Sequence, residues 1–493
     1  MLAKTGEGEM RARAILGAAA AVASALVAET AIAQSASGLD KLTHILVLYM
    51  ENRSFDNMFG EFPGANGLSK AGEAAVQRGR DGKAYTVLPA AKGPFHVPQN
   101  PEALAKIEAL DDLPNKPFPI VGIRPGVKAD TPTRDLIHAF YTNRSQIHGG
   151  KNDRFALFSN AGGLSMGYYG ADDLKETKLW KLASANTLLD NFFMGALGGS
   201  FLNHIWLVCA CAPAWPDPPK SQRSQIDDAG DVVQDRRVTA IGDGDFGVNT
   251  TQSIFLNNGR QGENVLSPQH AVTIGDRLTE KGVNWAWYSG GWSVAAKSDR
   301  TADEDRMLLE QSFQWHHQPF AYFARFNPTT QTGRDQRTAH LRDAGTLEAD
   351  IRSGALPPIA FYKPIGILNQ HPGYASLLPG DEEVGRIVRL MEESPMKDSY
   401  AVIVTYDENG GFWDHVAPPS GPAAGARADF FGPGTRVPTV VVSPLARRGV
   451  VDHTEYDTTS ILRLIADRHQ LDPLPAPRFM AVESLAKAFD VSR

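Results

Sequence analysis

The sequence predicts an α/β fold with a mostly parallel central sheet. Short apolar runs rich in β-branched residues are typical of strands that are buried on both faces. They occupy residues 43–50, 283–288, 358–362, 401–406 and 438–443. Helical patterns at 381–393 and 457–469 follow strands of this set, and alternating strands and helices favour a sheet that helices cover on both sides.

The remaining elements fit around this alternation. The helix at 457–469 starts next to Thr454 and Asp457, in a segment typical of helix capping. Two polar stretches rich in glycine and proline, 61–135 and 213–270, interrupt the pattern but still contain apolar residues. We therefore expect them to be insertions in one large domain that spans residues 34–493, since no internal repeat is visible.

The bulk composition is that of an enzyme-sized globular chain. It has 493 residues, 42% hydrophobic residues and a formal net charge of −7, which is enough chain to bury a large core. The mild acidity and the lack of any basic run argue against nucleic acid as a partner.

The N-terminal segment is predicted to be a signal peptide, residues 1–33. Arg11 and Arg13 precede a short apolar run at 15–28, and the small-residue site Ala31-Ile32-Ala33 follows. A membrane anchor is the alternative, but spanning a bilayer takes about 20 apolar residues. We expect export to the periplasm or the medium, a mature chain that starts at Gln34, and no integral membrane association.

Polar side chains cluster directly after two of the predicted strands. Glu51 and Asn52 follow the run at 43–50, and Asp407 and Glu408 follow the run at 401–406. Ligands of open α/β sheets bind at the carboxyl ends of strands, and adjacent carboxylates repel unless a cation neutralises them. Oxygen ligands suit Ca²⁺, Mg²⁺ or Mn²⁺ better than zinc or copper. The alternative is that Asn52 and Asp56 only cap the next helix.

Ser200 is the candidate nucleophile. It follows Gly198 and Gly199 and opens a predicted helix, whose N–H groups and dipole would favour a developing anion. A serine in this position is also a common N-cap. The surrounding residues do not form a G-x-S-x-G elbow, so an esterase triad is disfavoured.

Histidines and cysteines complete the set of reactive side chains. His138, the pair His316–His317 and His371 can each donate to a phosphoryl oxygen or protonate a leaving alkoxide, although their spacing alone assigns no role. The two cysteines, Cys209 and Cys211, are expected to be small buried residues, because a bridge at this spacing is strained. A bridge remains open in an exported protein.

Several segments resemble one family, the bacterial phosphoesterases that include secreted acid phosphatases and phospholipases C. The matching stretches run in family order through most of the chain, and 44–60 and 404–419 are highly specific. They are residues 44–60, 140–155, 190–204, 313–326, 362–374, 404–419 and 434–444. The resemblance implies an alkaline-phosphatase-like three-layer sandwich.

The resemblance also implies roles for residues of this sequence. It implies one divalent cation held by Glu51, Asn52, Asp407, Glu408 and the nucleophile Ser200. It implies phosphate contacts from His138, His371 and one of the pair His316–His317, of which we prefer His317. Asp414 and His415 fall where relatives with two metals would build a second site, and we expect one metal.

The predicted function is hydrolysis of phosphate esters through a phosphoserine intermediate, with a mildly acidic optimum if the histidines act as cations. We expect acid phosphatase activity on a small phosphate ester ahead of phospholipase C. The reasons are that the chain ends about 50 residues after the run at 438–443, where many phospholipase relatives add β-domains, and that serine at position 200 resembles the phosphatase branch.

A lipid substrate would need an apolar surface, for which Phe192, Phe193, Phe201, Phe412 and Trp413 are candidates. A periplasmic phosphate- or metal-binding protein without turnover is the alternative from another class.

Overall fold

The central feature of the molecule is an eight-stranded sheet. The computed structural model describes residues 38–92, 111–256 and 265–491. In chain order the strands are β1 His44–Met50, β2 Thr187–Leu189, β3 Trp285–Ser289, β4 Leu341–Asp343, β5 Ile359–Lys363, β6 Tyr400–Tyr406, β7 Thr439–Val442 and β8 Val450–Asp452. The predicted α/β class and each predicted strand are confirmed.

The strands lie in the order β4-β3-β5-β1-β6-β7-β2-β8 across the sheet. Within this sheet β7 pairs antiparallel to both of its neighbours, and every other pairing is parallel. All residues of β6 are buried, as expected for a strand that is covered on both faces.

Helices cover both faces of this sheet. Those of the described residues are α1 Phe55–Phe59, α2 Phe140–Ile147, α3 Ala171–Leu174, α4 Lys178–Ala185, α5 Ser200–Cys209, α6 Ile274–Glu280, α7 Trp292–Ala295, α8 Ala302–Glu310, α9 Gln331–His340, α10 Leu347–Ser353, α11 Leu377–Glu392, α12 Gly421–Ala424, α13 Thr458–His469 and α14 Pro477–Ala481. Both predicted helices are present, and Asp457 caps α13 by accepting from the Thr459 N–H.

Two tyrosines show that α5 and α11 lie on opposite faces. Leu48 of β1 is level with Tyr362 of β5, so these side chains share a face and Tyr49 points to the other one. The Tyr362 hydroxyl donates to Glu383 of α11 at 2.5 Å, whereas the Tyr49 hydroxyl donates to the Asn203 carbonyl of α5 at 3.1 Å. The sheet therefore lies between two helical layers.

Short two-stranded pairings lie outside the central sheet, several of them within the stretches expected to be insertions. They join Phe118–Pro119 to Gly167–Tyr168, Phe192–Phe193 to Tyr456–Asp457, Gln225–Ile226 to Val232–Gln234, Val238–Ile241 to Gly244–Gly247, and Gln252–Ser253 to Val265–Leu266. The limits of the domain and of its insertions remain a prediction, and the expected signal peptide lies outside the described residues.

Cys209 and Cys211 form a disulfide, which corrects the expectation of two small buried residues. Ala210 between them adopts a left-handed conformation at the end of α5, with φ of 50°. This turn brings the two Cα atoms to 5.2 Å, close to the distance that disulfides prefer. Within the described part of the chain, none of the helices has the length and apolar character needed to cross a membrane.

Candidate active site

The carboxyl ends of β1 and β6 bring the two predicted polar clusters together. These strands are parallel neighbours with Met50 level with Tyr406, so Glu51 and Asp407 emerge side by side. Glu51, Asn52, Asp407 and Glu408 are all fully buried. The Asn52 N–H donates to Asp407 Oδ1 at 3.2 Å, which ties the two strand ends directly.

The backbone after each strand turns sharply to make this contact. Asn52 has a left-handed φ of 65°, a conformation that asparagine tolerates better than most residues. Gly410 has a φ of 60°, and a Cβ there would lie 2.4 Å from the Asn52 carbonyl oxygen. The capping alternative is wrong, because Ser54 caps α1 by accepting from the Asn57 N–H.

Asp407 and Glu408 present carboxylate oxygens without hydrogen-bond partners. Asp407 Oδ2 and Glu408 Oε1 are both buried and accept no hydrogen bond, although His204 Nδ1 and His138 Nε2 lie 3.7 Å and 3.8 Å from them. Burial raises the pKa of Asp407 to about 7, against the opposing effects of Lys363 and the Ser200 hydroxyl. Burial also raises the pKa of Glu408 well above its usual range. Such a pair of buried acids is chemically suited to a cation, which would supply the missing charge.

Glu51 has a different environment, because positive and donor groups already surround it. Its Oε1 lies 2.7 Å from Lys363 Nζ and 2.5 Å from His317 Nε2. Its Oε2 accepts hydrogen bonds of 2.7 Å from Asn369 Nδ2 and the Tyr374 hydroxyl. Burial opposes ionisation, but Lys363 and His317 hold the pKa of Glu51 well below its usual range.

Lys363, Asn369 and Tyr374 were not assigned a role from the sequence. Lys363 is the last residue of β5, the neighbour of β1 in the sheet, and it is fully buried. The rule that located Glu51 and Asp407, a polar residue at a strand's carboxyl end, also applies to Lys363 and would have identified it.

Ser200 is the first residue of α5 and is not its N-cap, since Gly199 takes that position. Its Oγ donates to Asn52 Oδ1 at 3.3 Å. Gly198 has a φ of 90°, and a Cβ at Gly199 would lie 2.7 Å from the His138 carbonyl oxygen, so the chain needs both glycines to bring Ser200 here. The hydroxyl thus faces the carboxylates, and capping does not use it.

His138 and His371 stand on one side of these carboxylates. Their ring centroids are 5.6 Å apart, and His138 Nε2 lies 3.8 Å from Glu408 Oε1. Burial lowers the pKa of His138, but Glu408 and Asp135 outweigh it and raise that pKa to about 9. Burial lowers the pKa of His371. The surroundings therefore favour the charged form of His138 and the neutral form of His371.

His204, His316 and His317 form a packed group on the other side. His317 is the member that contacts Glu51, and His316 packs edge-on against it with centroids 5.1 Å apart. His204, which the sequence reasoning missed, stacks on His317 at 5.5 Å and donates from Nδ1 to the Ser200 carbonyl at 2.8 Å. Burial is the main cause that lowers the pKa of all three, most strongly for His204 and His316. The position of His204, four residues after Ser200 on one helix face, was the available signal.

Asp414 and His415 belong to a separate buried ion cluster. Arg436 donates from Nε to Asp414 Oδ1 at 2.8 Å, and Asp56 Oδ2 lies 2.6 Å from His415 Nδ1. The guanidinium also lies 3.2 Å from Asp56 Oδ1. The positive charge that balances these carboxylates comes from Arg436, a residue that the sequence analysis did not consider.

Three groups of described residues have ligand atoms that all lie within 4.8 Å of one another. They are Glu51, His204 and His317; Asp135, His138 and His371; and Asp56, Asp414 and His415. The protein thus contains carboxylate and histidine groups able to bind a metal. Each group offers both nitrogen and oxygen ligand atoms, unlike the all-oxygen ligand set predicted from Glu51, Asn52, Asp407 and Glu408.

A cleft of about 580 Å³ adjoins the site, with His138 and Gly199 in its wall. The rest of the lining is largely polar and includes residues 234–237 and 249–250 from the second insertion. The aromatic residues considered for a lipid surface are all buried: Phe192, Phe193, Phe201, Phe412 and Trp413. Two exposed apolar residues are close to these histidines in the sequence: Ile137, which lines the cleft and is 36% exposed, and Ile367, four residues before His371 and 37% exposed.

Comparisons with known proteins agree on one family. The model of the Phosphoesterase family matches residues 42–472. Phospholipase C B of Mycobacterium tuberculosis is 26% identical over 464 residues, which cover 89% of this chain and 75% of the relative. A non-hemolytic phospholipase C of Burkholderia pseudomallei is 25% identical over 468 residues, covering 86% of this chain and 55% of the relative.

Solved structures give more distant matches. A 2-O GAG sulfatase is 11% identical with a TM-score of 0.32, covering 66% of this chain and 71% of its own. A phosphonate monoester hydrolase of Agrobacterium radiobacter is 11% identical with a TM-score of 0.31, covering 64% and 72%.

Proposed function

The chain belongs to the phosphoesterase family, and on that premise we propose that it hydrolyses phosphate esters with Ser200 as the nucleophile. One observation carries the assignment. Ser200 is the first residue of α5, and its Oγ lies 3.3 Å from Asn52 Oδ1, next to the buried acids Asp407 and Glu408. The N–H groups and dipole of a helix start favour a phosphoryl anion at this position.

We propose that one divalent cation, Ca²⁺, Mg²⁺ or Mn²⁺, binds Asn52, Asp407, Glu408 and Ser200, with Glu51 as a further ligand. The unpaired oxygens Asp407 Oδ2 and Glu408 Oε1 support this set. Participation of Glu51 requires it to exchange its contact with Lys363 or His317. When bound, such a cation polarises phosphoryl oxygens and favours the ionised serine hydroxyl.

The proposed reaction proceeds in two steps, and residues of the chain act in each. In the first, Ser200 Oγ forms a bond to phosphorus and loses its proton to water, while the bond to the leaving oxygen breaks and that oxygen takes a proton from His138. In the second, a water molecule gives a proton to His138 and its oxygen bonds to phosphorus, and the released Ser200 oxygen takes a proton from water. His371 Nδ1 donates to the Pro372 carbonyl and His317 Nε2 lies against Glu51 Oε1, so each neutral imidazole already uses its one N–H. His317 and His371 would donate to phosphoryl oxygens only after gaining a second proton.

The expected acidic optimum has less support than the rest of this mechanism. His138 is the one residue of the three with a raised pKa, at about 9, and Glu408 is the main cause that raises it. The pKa values of His317 and His371 are lowered by burial. Because a cation on Glu408 would remove the main cause that raises the pKa of His138, these pKa values assign no pH optimum to the reaction.

For the substrate class we place phospholipase C ahead of acid phosphatase, which reverses the order expected from the sequence. The curated relatives carry the name phospholipase C and match along most of this chain. Exposed Ile137, which lines the cleft beside His138, offers an apolar contact to a lipid. Acid phosphatase activity stays as the second candidate, because the cleft beside Ser200 is lined largely by polar groups that suit a small phosphomonoester.

We also propose that the protein is exported. The predicted signal peptide, residues 1–33, supports this. The Cys209–Cys211 disulfide supports it independently, since disulfides persist in oxidising compartments such as the periplasm.

The proposal is tested with p-nitrophenyl phosphate and with mixed micelles of phosphatidylcholine, each with and without added divalent cations. Wild-type protein should release product, and Ser200→Ala should lose at least about 10³-fold in kcat while its Tm stays close to that of the wild type. Ser184→Ala serves as the control, because its Oγ only contacts the Trp180 carbonyl within α4. Phosphate binding without turnover in the wild type would make the chain a binding protein.

A further inference from the structure

The cleft beside Ser200 has a distinct chemistry. It shares His138 and Gly199 with the site, and Gly199 directly precedes Ser200. Arg236 and Arg237 line the same cleft. We propose that the cleft binds a second anionic group of the substrate, a carboxylate or a phosphate, through these two guanidinium groups. The inference rests on the function proposed above.

Neither guanidinium is neutralised by a carboxylate. Arg236 donates from Nη1 to the Ser221 carbonyl at 2.6 Å. Arg237 donates to the Thr250 carbonyl at 3.1 Å and to Gln222 Oε1 at 2.8 Å. Across the described residues no ion pair within 4.0 Å includes either arginine. Each therefore keeps N–H donors for a charged ligand.

The two acidic residues of the lining already have partners. Asp235 accepts from the Thr142 N–H at 2.7 Å and from Asn249 Nδ2 at 2.8 Å. Asp135 lies 3.5 Å from His138 Nδ1. These contacts direct both carboxylates toward donors of the wall, and neither carboxylate is paired with Arg236 or Arg237.

The wall that carries the arginines is anchored to the catalytic segment. Asp235 binds the backbone of Thr142, and Asn249 Oδ1 accepts from the Phe140 N–H at 2.9 Å, two residues after His138. These contacts fix the position of residues 235–249 relative to His138. The subsite is therefore fixed relative to the reacting phosphorus, as a specificity element requires.

The same lining is poorly suited to a quaternary ammonium group. No Phe, Tyr or Trp is among the residues that line the cleft, and recognition of such cations relies on aromatic faces. An anionic group on the substrate fits the cleft better than a choline group.

The test compares substrates that differ by one carboxylate. 3-Phosphoglycerate against glycerol 1-phosphate is the soluble pair, and phosphatidylserine against phosphatidylethanolamine in mixed micelles is the lipid pair. In at least one pair the wild type should favour the anionic member by roughly tenfold in kcat/KM, mainly through KM. The pair that shows the preference identifies a soluble ester or a lipid headgroup as the source of the anion.

The double variant R236Q/R237Q should bring that ratio to about one. Both substrates are measured on the same variant, so a general loss of activity cancels. Arg334→Gln is the matched control and should keep the ratio, since Arg334 is exposed and bonds only the Pro328 carbonyl and Gln331. An unchanged ratio in R236Q/R237Q, or no preference in either wild-type pair, overturns the subsite.

Binding to Ser200→Ala protein, measured by calorimetry, separates the subsite from the proposed function. If no ester is hydrolysed but 3-phosphoglycerate binds about tenfold more tightly than glycerol 1-phosphate, and R236Q/R237Q removes the difference, the proposed function fails and the subsite stands. Equal binding of the two compounds to Ser200→Ala contradicts the subsite even if hydrolysis is observed.

Discussion

Replacing Lys363 by methionine should destabilise the protein by about 3–5 kcal/mol, because it leaves the Glu51 carboxylate buried without its counter-charge. The ammonium lies 2.7 Å from Glu51 Oε1, and both side chains are fully buried. For a chain of 493 residues, an unfolding entropy of about 2.1 cal/mol/K per residue gives about 1 kcal/mol/K. The expected fall in Tm is therefore about 3–5 °C.

The assay is thermal unfolding of chelator-treated protein followed across pH. Because Lys363 and His317 hold the pKa of Glu51 below its usual range, the stability from this carboxylate is present above its unfolded-state pKa of about 4.3 and is lost as pH falls through the lower folded-state value. The gap between wild type and Lys363→Met should be largest near pH 7 and should narrow below about pH 4.

A second substitution tests the cause of that destabilisation. In E51Q/K363M the buried group is neutral and still accepts from Asn369 and Tyr374, so at least half of the lost Tm should return. Lys487→Met is the control, since Lys487 and Glu483 form an exposed pair worth less than about 1 kcal/mol. A Tm of Lys363→Met within 1 °C of wild type, or no recovery in the double variant, would refute the reasoning.

Three further predictions concern the cation, a pH effect and the N-terminus. Asp407→Asn and Glu408→Gln should each lose bound divalent cation and activity together, and full occupancy by elemental analysis in both would contradict the proposed ligands. Burial lowers the pKa of His469 to about 4, so the stability that its neutral form contributes is complete above about pH 6.5 and is lost as pH falls toward 4. In His469→Gln, Tm should therefore depend less on pH between pH 7 and 5 than in the wild type, and an unchanged slope would refute this. Mass spectrometry of exported protein should find Gln34 at the N-terminus, and an uncleaved leader would count against the signal peptide.

The sequence was sufficient for five of the eight strands of the sheet and for the polar residues that follow β1 and β6. Long strands such as His44–Met50 and Tyr400–Tyr406 consist almost entirely of apolar residues, which is typical of strands that are buried on both faces. The three-residue strands Thr187–Leu189, Leu341–Asp343 and Val450–Asp452 were not predicted, because so few residues carry no periodic signal.

The residues missed in the site have a common physical origin. Asn369 and Tyr374 act on Glu51 from the segment after β5, so their role depends on β5 lying beside β1, whereas Lys363 stands at the end of a predicted strand and could have been identified. Strand order comes from packing and is not encoded in any local pattern. The disulfide was misjudged for a related reason, because the left-handed turn at Ala210 that allows it is a backbone conformation rare for alanine.

The reversed direction of β7 determines how Arg436 reaches its position. A strand that runs against its neighbours presents its amino end at the edge where the others end, so the residues that precede Thr439–Val442 arrive beside Glu51 and Asp407. Arg436 lies in the segment that leads into β7, and its guanidinium contacts Asp414 and Asp56. A change of length in residues 436–438, which lead directly into β7, would therefore misplace a buried counter-ion, whereas the same change after Val442 would fall on the opposite edge of the sheet. Length variation should accordingly be restricted directly before this strand and tolerated beyond its far end.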